Sequence, residues 1–184
     1  MKLKIVLLAA AVAGLMGSGA MAAPIAAPGT EGFKVIAVGG EVKATYEGTT
    51  AAFTNYLYLE NTGAFLFHNQ LDPVGKTINL GTFAAGTELV FRLFVTNTGY
   101  DFFTGPADRN PDGHAHARVE SNWMTTGTTL VSFEDLFNGD FTYNDLSFSF
   151  DNTVGAPPTV PVPAAFGLLA GALGGLGLLR RRKA

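Results

Sequence analysis

Alternation of apolar and polar residues with a period of two recurs along the middle of the chain and strongly constrains its fold. In the segment 41–47 the apolar positions are Val42, Ala44 and Tyr46, and in the segment 88–96 every second residue from Leu89 to Val95 is apolar. A period of two is that of a β-strand whose two faces meet different surroundings. No amphipathic helical period persists between residues 23 and 159. The pattern predicts a domain built from strands.

Nine predicted strands are separated by turn residues such as Asn61-Thr62-Gly63 and Asp72-Pro73-Val74-Gly75. They cover residues 34–38, 41–47, 53–60, 64–68, 76–80, 88–96, 115–120, 129–133 and 146–150. Short strands at this spacing predict an all-β fold, an antiparallel β-sandwich or jelly-roll-like domain over residues 23–156. Two acidic segments interrupt the alternation, and we name them the first acidic loop (101–114) and the second acidic loop (134–145).

The amino-terminal 22 residues have the three parts of a Sec-type signal peptide. Lys2 and Lys4 precede an apolar run over residues 5–16, and small residues follow it, ending Ala20-Met21-Ala22. Twelve apolar residues rise only about 18 Å as a helix, less than a hydrocarbon core of roughly 30 Å. The sequence therefore predicts a signal-peptide helix over residues 1–22 that is cleaved after Ala22, rather than a permanent anchor.

Residues 157–184 combine a proline-rich stretch, an uncharged segment over 164–179 and a basic end, Arg180-Arg181-Arg182-Lys183. As a helix the uncharged segment rises about 24 Å, which is marginal for a stable membrane span. The positive-inside rule keeps the basic end in the cytoplasm and the domain outside. This pattern predicts a hydrophobic helix that anchors the chain in the membrane, transiently or permanently.

The carboxyl end also matches a known motif in order, spacing and position. Val160-Pro161-Val162-Pro163-Ala164, followed by the Gly/Leu-rich segment and Arg180-Arg181-Arg182, resembles a PEP-CTERM sorting signal of the VPLPA variety. The resemblance implies processing near the proline motif by an exosortase, an integral-membrane cysteine protease or transpeptidase. Val162 stands where the founding motif has Glu, which leaves the particular sorting enzyme open. A simple carboxyl-terminal anchor is the alternative.

Composition excludes several kinds of site. The chain has no Cys, which excludes a disulfide scaffold, a thiolate zinc site and a cysteine nucleophile. Between Lys4 and Arg180 there are six basic and fifteen acidic residues, a formal charge of −9. This balance argues against a nucleic-acid partner and favours cations or a solvated surface.

The first acidic loop contains the opening of a calcium loop. Asp108, Asn110 and Asp112 precede Gly113 in the pattern D-x-N-x-D-G, which places oxygen donors on alternate residues before a sharp bend. An EF-hand would need Glu at the twelfth position, which is Val119, and flanking helices, which the pattern lacks. The alternative is a turn whose Asp and Asn side chains bond their own backbone.

The second acidic loop concentrates carboxylates between strands whose aromatic residues are expected in the core. Repulsion between like charges is costly unless a cation offsets it. We predict one Ca²⁺ shared with the first acidic loop, preferred over Mg²⁺ because flexible oxygen ligands suit its variable shell. The predicted ligands here are Glu134, Asp135, Asp140, Asn144 and Asp145. The alternative is that these side chains point into solvent, cap turns, or pair with Arg109 and Arg118.

A second resemblance covers about 50 residues around this loop. The Glu134-Asp135 pair followed by Asp140 and by Tyr143-Asn144-Asp145-Leu146 with Phe148 resembles the signature of the DUF4114 family. The resemblance implies a bacterial extracellular β-domain, often found beside sorting tails or in large adhesins, with no established enzymatic activity.

Three further groups of residues give weaker evidence for a functional site. His114 and His116 could begin a zinc site with His68 or carboxylates, but the favoured interpretation is that they are two polar residues on a solvated strand. Glu134 with Asp140 could in principle serve glycoside hydrolysis. Aromatic residues, Trp123, Tyr56, Tyr58 and Tyr100 among them, could stack on sugars if exposed.

Together these patterns predict an exported bacterial protein of the cell surface or extracellular matrix that is not an enzyme. Its β-domain is expected to be structural or adhesive and stabilised by calcium. The expected partners are the membrane, an exosortase-type enzyme and extracellular polysaccharide, with no nucleic acid. A carbohydrate-binding module and, third, a secreted hydrolase are the alternatives.

Overall fold

A computed structural model describes residues 22–158 of the chain. The predicted signal peptide up to Met21, with Ala20, and the sorting residues Val160–Ala164 and Arg180–Arg182 lie outside the described residues. Within residues 22–158, no helix is long and apolar enough to cross a membrane.

The described residues form thirteen strands and one 3-10 turn at Ala107–Arg109. The strands are β1 (Thr30–Glu31), β2 (Lys34–Ala37), β3 (Gly40–Thr49), β4 (Asn55–Leu59), β5 (Ala64–His68), β6 (Thr77–Phe83), β7 (Glu88–Leu89), β8 (Phe91–Val95), β9 (Tyr100–Phe103), β10 (Ala117–Ser121), β11 (Thr128–Phe133), β12 (Leu146–Asp151) and β13 (Thr153–Ala156).

The strands form three antiparallel sheets, which confirms the prediction of an all-β, antiparallel domain. A six-stranded sheet has the order β1-β10-β11-β12-β3-β6, and a four-stranded sheet has the order β5-β4-β8-β9. A small third sheet has the order β13-β2-β7. Every pairing in the three sheets is antiparallel.

Each of the nine predicted segments contains a strand, but the segment 88–96 contains two that belong to different sheets. The break falls at Val90, whose N–H donates to Asn61 Oδ1 (2.9 Å). The Asn61 amide also donates to the carbonyl of Glu88 (2.9 Å). Because one side chain bonds the backbone on both sides of the break, the chain can change sheets without leaving these groups unpaired.

Aromatic rings join the four-stranded sheet to the six-stranded sheet. Phe67 on β5 packs against Phe148 on β12, with ring centroids 5.6 Å apart, and Phe91 on β8 stacks on Phe150 at 4.0 Å. Tyr46 on β3 lies 5.5 Å from Phe148. These rings are almost fully buried, as the alternation in the sequence predicts. Each large buried aromatic side chain contributes about 3 kcal/mol through burial of apolar surface.

Residues 22–28, which we name the N-terminal segment, lie against one face of the six-stranded sheet. The carbonyl of Pro24 accepts hydrogen bonds from Ser132 Oγ on β11 and from Ser147 Oγ on β12. The N–H of Ala26 donates to Ser132 Oγ (2.8 Å), and Ala26 is fully buried. Ser132 and Ser147 are buried as well, because the N-terminal segment covers them.

Candidate metal centre

Three carboxylates meet where the second acidic loop leaves and rejoins the six-stranded sheet. Glu134 and Asp135 follow β11 directly, and Asp145 directly precedes β12. These strands pair in a register that places Phe133 opposite Leu146, and the N–H of Asp145 donates to the carbonyl of Phe133 (3.2 Å). Closure of the loop therefore places acids ten residues apart in the chain beside one another.

We name Glu134, Asp135 and Asp145 the carboxylate cluster. Each of the three residues contributes one carboxylate oxygen, and these three oxygens all lie within 4.8 Å of one another. Glu134 is 3% exposed and Asp135 is 5% exposed. The cluster borders an open cavity of about 310 Å³, which Asp140 and Asn144 also line. All five residues that the sequence predicts as ligands in this loop therefore line the cavity, and three of them have carboxylate oxygens close to one another.

Hydrogen bonds fix part of the cluster. Asp135 Oδ2 accepts from the Asn55 amide on β4 (2.7 Å), and Asp145 Oδ2 accepts from the N–H of Asp135 (3.0 Å). Glu134 Oε1 accepts from the N–H of Leu136 (3.2 Å). Glu134 Oε2 is buried and has no hydrogen-bond partner among the described residues. A buried, unpartnered carboxylate oxygen is costly and is a position at which a cation would be stabilised.

The surroundings disfavour the charged form of the two buried acids. Burial, followed by the charges of Asp145 and Asp140, raises the pKa of Glu134 to about 7. Burial is also the main cause that raises the pKa of Asp135 to about 6, with a contribution from Asp145 and against the hydrogen bond from Asn55. A divalent cation would reverse these shifts, because its charge favours the ionised carboxylates.

No basic side chain of residues 22–158 forms a salt bridge with the carboxylate cluster. Arg109 pairs with Glu88 (2.6 Å), and Arg118 pairs with Glu31 (3.2 Å). Among residues 22–158, no salt bridge involves a member of the cluster. The alternative in which Arg109 and Arg118 pair with these acids is therefore not what the structure contains.

Asp140 lies at the rim of the cavity and is held differently. Its Oδ1 accepts hydrogen bonds from the N–H (3.0 Å) and the hydroxyl (2.9 Å) of Thr142. These bonds lower its pKa below the ordinary value, the backbone N–H having the largest effect. Asp140 is exposed, so it adds a charged oxygen donor at the mouth of the cavity without the cost of burial.

The structure does not bring the predicted ligands of the first acidic loop into the carboxylate cluster. Asp108 is exposed in the 3-10 turn. Asn110 Oδ1 accepts from the N–H of Phe103 (2.7 Å), and its amide donates to the carbonyl of His114 (2.8 Å). Asn110 therefore stabilises its own loop, as expected of Asp and Asn side chains in tight turns.

Asp112 joins the two acidic loops through hydrogen bonds. Its Oδ2 accepts from the N–H of Asn138 (2.9 Å) and contacts His116 Nε2 at 2.8 Å, while its Oδ1 accepts from the N–H of His114 (3.1 Å). Burial opposes ionisation of Asp112, but these hydrogen bonds outweigh it and hold the pKa of the carboxyl below its ordinary value. The structure thus connects the two loops through the Asp112 side chain, whereas the sequence predicts a connection through a shared ion.

His116 is a buried residue, and the prediction of a solvated strand position was wrong. It lies just before β10, its ring stacks on Phe102 with centroids 3.7 Å apart, and both its side chain and that of Asp112 are 0% exposed. Its Nδ1 lies 2.9 Å from the carbonyl oxygen of Glu134. Its two ring nitrogens thus contact the second acidic loop, through the carbonyl of Glu134, and the first acidic loop, through Asp112.

The histidines do not assemble into a zinc site within the described residues. His114 is exposed and its ring lies 5.0 Å from Phe141, whereas His68 contacts Tyr56 on the four-stranded sheet. The carboxylate cluster is the one grouping of three suitably placed ligand side chains in residues 22–158. The chemistry available at this position is therefore binding of a hard cation by oxygen ligands.

No family model matches the chain, and no curated protein or solved structure is significantly similar to it. The geometry of the carboxylate cluster is therefore the main evidence on function.

Proposed function

We propose that residues 23–156 form a calcium-stabilised domain of an exported bacterial protein, with a structural or adhesive role at the cell surface or in the extracellular matrix. The observation that carries the proposal is the buried, unpartnered Oε2 of Glu134 beside Asp135 and Asp145. Without a cation, folding places three carboxylates together with no salt-bridge partner among residues 22–158, which lowers stability. With a cation, the same arrangement stabilises the folded chain.

Calcium fits the donors better than other common cations. The residues lining the cavity offer carboxylate and amide oxygens, whereas His and Cys are absent from the grouping. Hard oxygen donors on a loop suit Ca²⁺, which accepts six to eight ligands in variable geometry. Mg²⁺ requires near-ideal octahedral geometry and retains its water more strongly, so it is the weaker candidate.

The wider proposal follows from the architecture and from the ends of the chain. The facing six-stranded and four-stranded sheets support an antiparallel sandwich of jelly-roll type. The sequence pattern before Ala22 supports export, and the residues after Pro157 support a membrane-anchored precursor that an exosortase-type enzyme processes. The DUF4114-like signature around the carboxylate cluster supports the same extracellular, non-enzymatic role.

Calcium is expected to raise the melting temperature of the domain. At a concentration one hundred times its dissociation constant, binding adds about 2.7 kcal/mol to the free energy of unfolding. For a domain of this length that corresponds to a shift of roughly 10 °C. The measurement is thermal unfolding followed by circular dichroism in EDTA and in increasing CaCl₂, with MgCl₂ as the comparison.

Asp145→Asn is the matched test of the site, since it keeps an oxygen to accept the N–H of Asp135 and removes one charge. We expect this variant to lose most of the calcium-dependent shift. Asp108→Asn removes an exposed acid of the first acidic loop, and this variant should retain the calcium-dependent shift. If millimolar calcium leaves the wild-type melting temperature unchanged, or if both variants respond equally, the carboxylate cluster is not a calcium site.

A further inference from the structure

The outward side of the four-stranded sheet has two adjacent cross-strand rows of mainly aromatic residues, which we name the aromatic face. The register of β5, β4, β8 and β9 places one residue from each strand in each row. The rows are His68-Tyr56-Phe94-Asp101 and Phe65-Tyr58-Arg92-Phe103. The alternate residues of these strands form the core, so the aromatic face is a consequence of strand geometry.

The rings of the aromatic face are accessible and ordered with respect to one another. Phe65 is 49% exposed, and Tyr56, Tyr58 and Phe94 are partly exposed. The rings of Tyr56 and Phe94 lie within 15° of parallel, with centroids 6.5 Å apart. Phe65 meets Tyr58 edge-on at 5.7 Å. Contiguous exposed apolar surface on a protein is a feature of ligand-binding and partner-binding sites.

The charged side chains on and beside the aromatic face are paired with one another. Arg92 donates to Glu60 Oε2 (2.9 Å) and to Asp101 Oδ1 (2.6 Å), and its guanidinium lies 4.3 Å from the centre of the Tyr58 ring. One cation thus faces two carboxylates, which leaves a net negative charge. An anionic ligand would find no available positive charge here, whereas the carboxylates can still accept hydrogen bonds from hydroxyl groups.

A shallow groove continues from the β9 edge of the aromatic face. It has a volume of about 450 Å³, and Tyr100, Asp101 and Phe103 line it together with residues 108–111. The four strands of the aromatic face span about 14 Å from β5 to β9, given a spacing of about 4.8 Å between neighbours. The face and the groove together have the length of an extended oligomer rather than of a single small molecule.

We propose that the aromatic face binds a neutral, hydroxyl-rich polysaccharide chain that runs across the strands toward this groove. The partly exposed rings of Tyr56 and Phe94 supply apolar surface for the C–H groups of the sugar rings, and Glu60 and Asp101 accept hydrogen bonds from hydroxyls. This inference rests on the proposed function, because it supplies a ligand for a domain that is exported to the cell surface.

Isothermal titration calorimetry of the full β-domain with the neutral hexasaccharides cellohexaose, xylohexaose and mannohexaose tests the proposal. We expect at least one of them to bind, and Tyr56→Ala or Phe94→Ala to weaken that binding by at least about tenfold. Trp123→Ala is the matched control, because Trp123 is a partly exposed aromatic residue on the hairpin between β10 and β11. This control should bind like the wild type, and melting temperatures verify that each variant is folded.

Three results would overturn the proposal. The first is that none of the hexasaccharides binds at millimolar concentration, and the second is that Trp123→Ala abolishes binding while Tyr56→Ala does not. The third is a concentration-dependent dimer in sedimentation velocity that Tyr56→Ala dissociates, without glycan binding, since the face would then join two copies of the chain. None of these results changes the calcium-dependent melting temperature, so failure here is distinguishable from failure of the calcium site.

Discussion

Replacing His116 with alanine is expected to lower the free energy of unfolding by about 3 kcal/mol, because it removes a fully buried ring and one hydrogen-bond partner of the buried Asp112 carboxyl group. The Asp112 carboxylate is 0% exposed and lies 2.8 Å from His116 Nε2. The same substitution removes the ring that stacks on Phe102 and the contact to the carbonyl of Glu134. The substitution therefore removes the contacts of residue 116 with both acidic loops.

Urea unfolding at pH 7 measures this effect, with His114→Ala as the matched control. His114 is exposed and two residues away, so its replacement should change stability by no more than about 0.5 kcal/mol. In a double-mutant cycle, His116→Ala combined with Asp112→Asn should cost less than the sum of the two single changes. A cost below about 1 kcal/mol for His116→Ala would contradict a stabilising role of the buried contact between His116 and Asp112.

The second large effect is a dependence of stability on pH that calcium reverses. In EDTA, the protein is expected to be more stable at pH 5 than at pH 8, opposite to the usual behaviour of carboxylates in ion pairs. The pKa of Glu134 is raised to about 7 and that of Asp135 to about 6. Between their ordinary and raised values the folded state binds more protons than the unfolded state, so stability falls as the pH rises.

Glu134 alone contributes about 2–3 kcal/mol to this loss, which is absent below its ordinary pKa and complete above about pH 7. The comparison is made above pH 5, because acids with lowered pKa values, such as Asp72 and Glu88, lose their stabilising effect only at lower pH. Chemical denaturation in EDTA at intervals from pH 5 to 8 gives the slope. Glu134→Gln is expected to flatten it and to be more stable than the wild type at pH 8.

Excess calcium should invert the same slope, since the cation binds deprotonated carboxylates and competes with protons. The wild type is then most stable at the alkaline end of the range, and Glu134→Gln gains little from the ion. A wild-type slope in EDTA that matches the slope of Glu134→Gln would mean that Glu134 does not titrate in this range, contrary to its burial beside Asp145.

The sequence predicts the longer strands well because each carries its own alternation. Three strands have no such signal and were not predicted. β1 has two residues and exists through its pairing with β10, while β13 pairs with β2 and is supported by Ser121 Oγ, which accepts from the N–H of Gly155 (2.8 Å). β9 overlaps the start of the first acidic loop, where neighbouring charged and turn residues hide the alternation.

The carboxylate cluster was predictable from the sequence because its acids lie at the two ends of one loop, which the hairpin of β11 and β12 must close. The hydrogen bond from Asn55 to Asp135 was not predictable, since Asn55 is 80 residues from Asp135 in the chain and belongs to another sheet. The role of Asp112 was also hidden, because the sequence does not reveal that His116 and the Asn138 backbone would occupy its oxygens. The spacing of acids along the chain predicts which of them lie close together, whereas long-range packing determines which of their oxygens are already hydrogen-bonded.

The N-terminal segment starts at the proposed cleavage site and belongs to the fold of the domain. Pro24 lies two residues beyond that site, and its carbonyl accepts hydrogen bonds from serines on two neighbouring strands. The proposed cleavage after Ala22 therefore leaves these contacts intact, whereas a mature chain that began beyond Ala26 would leave both serine hydroxyls without them.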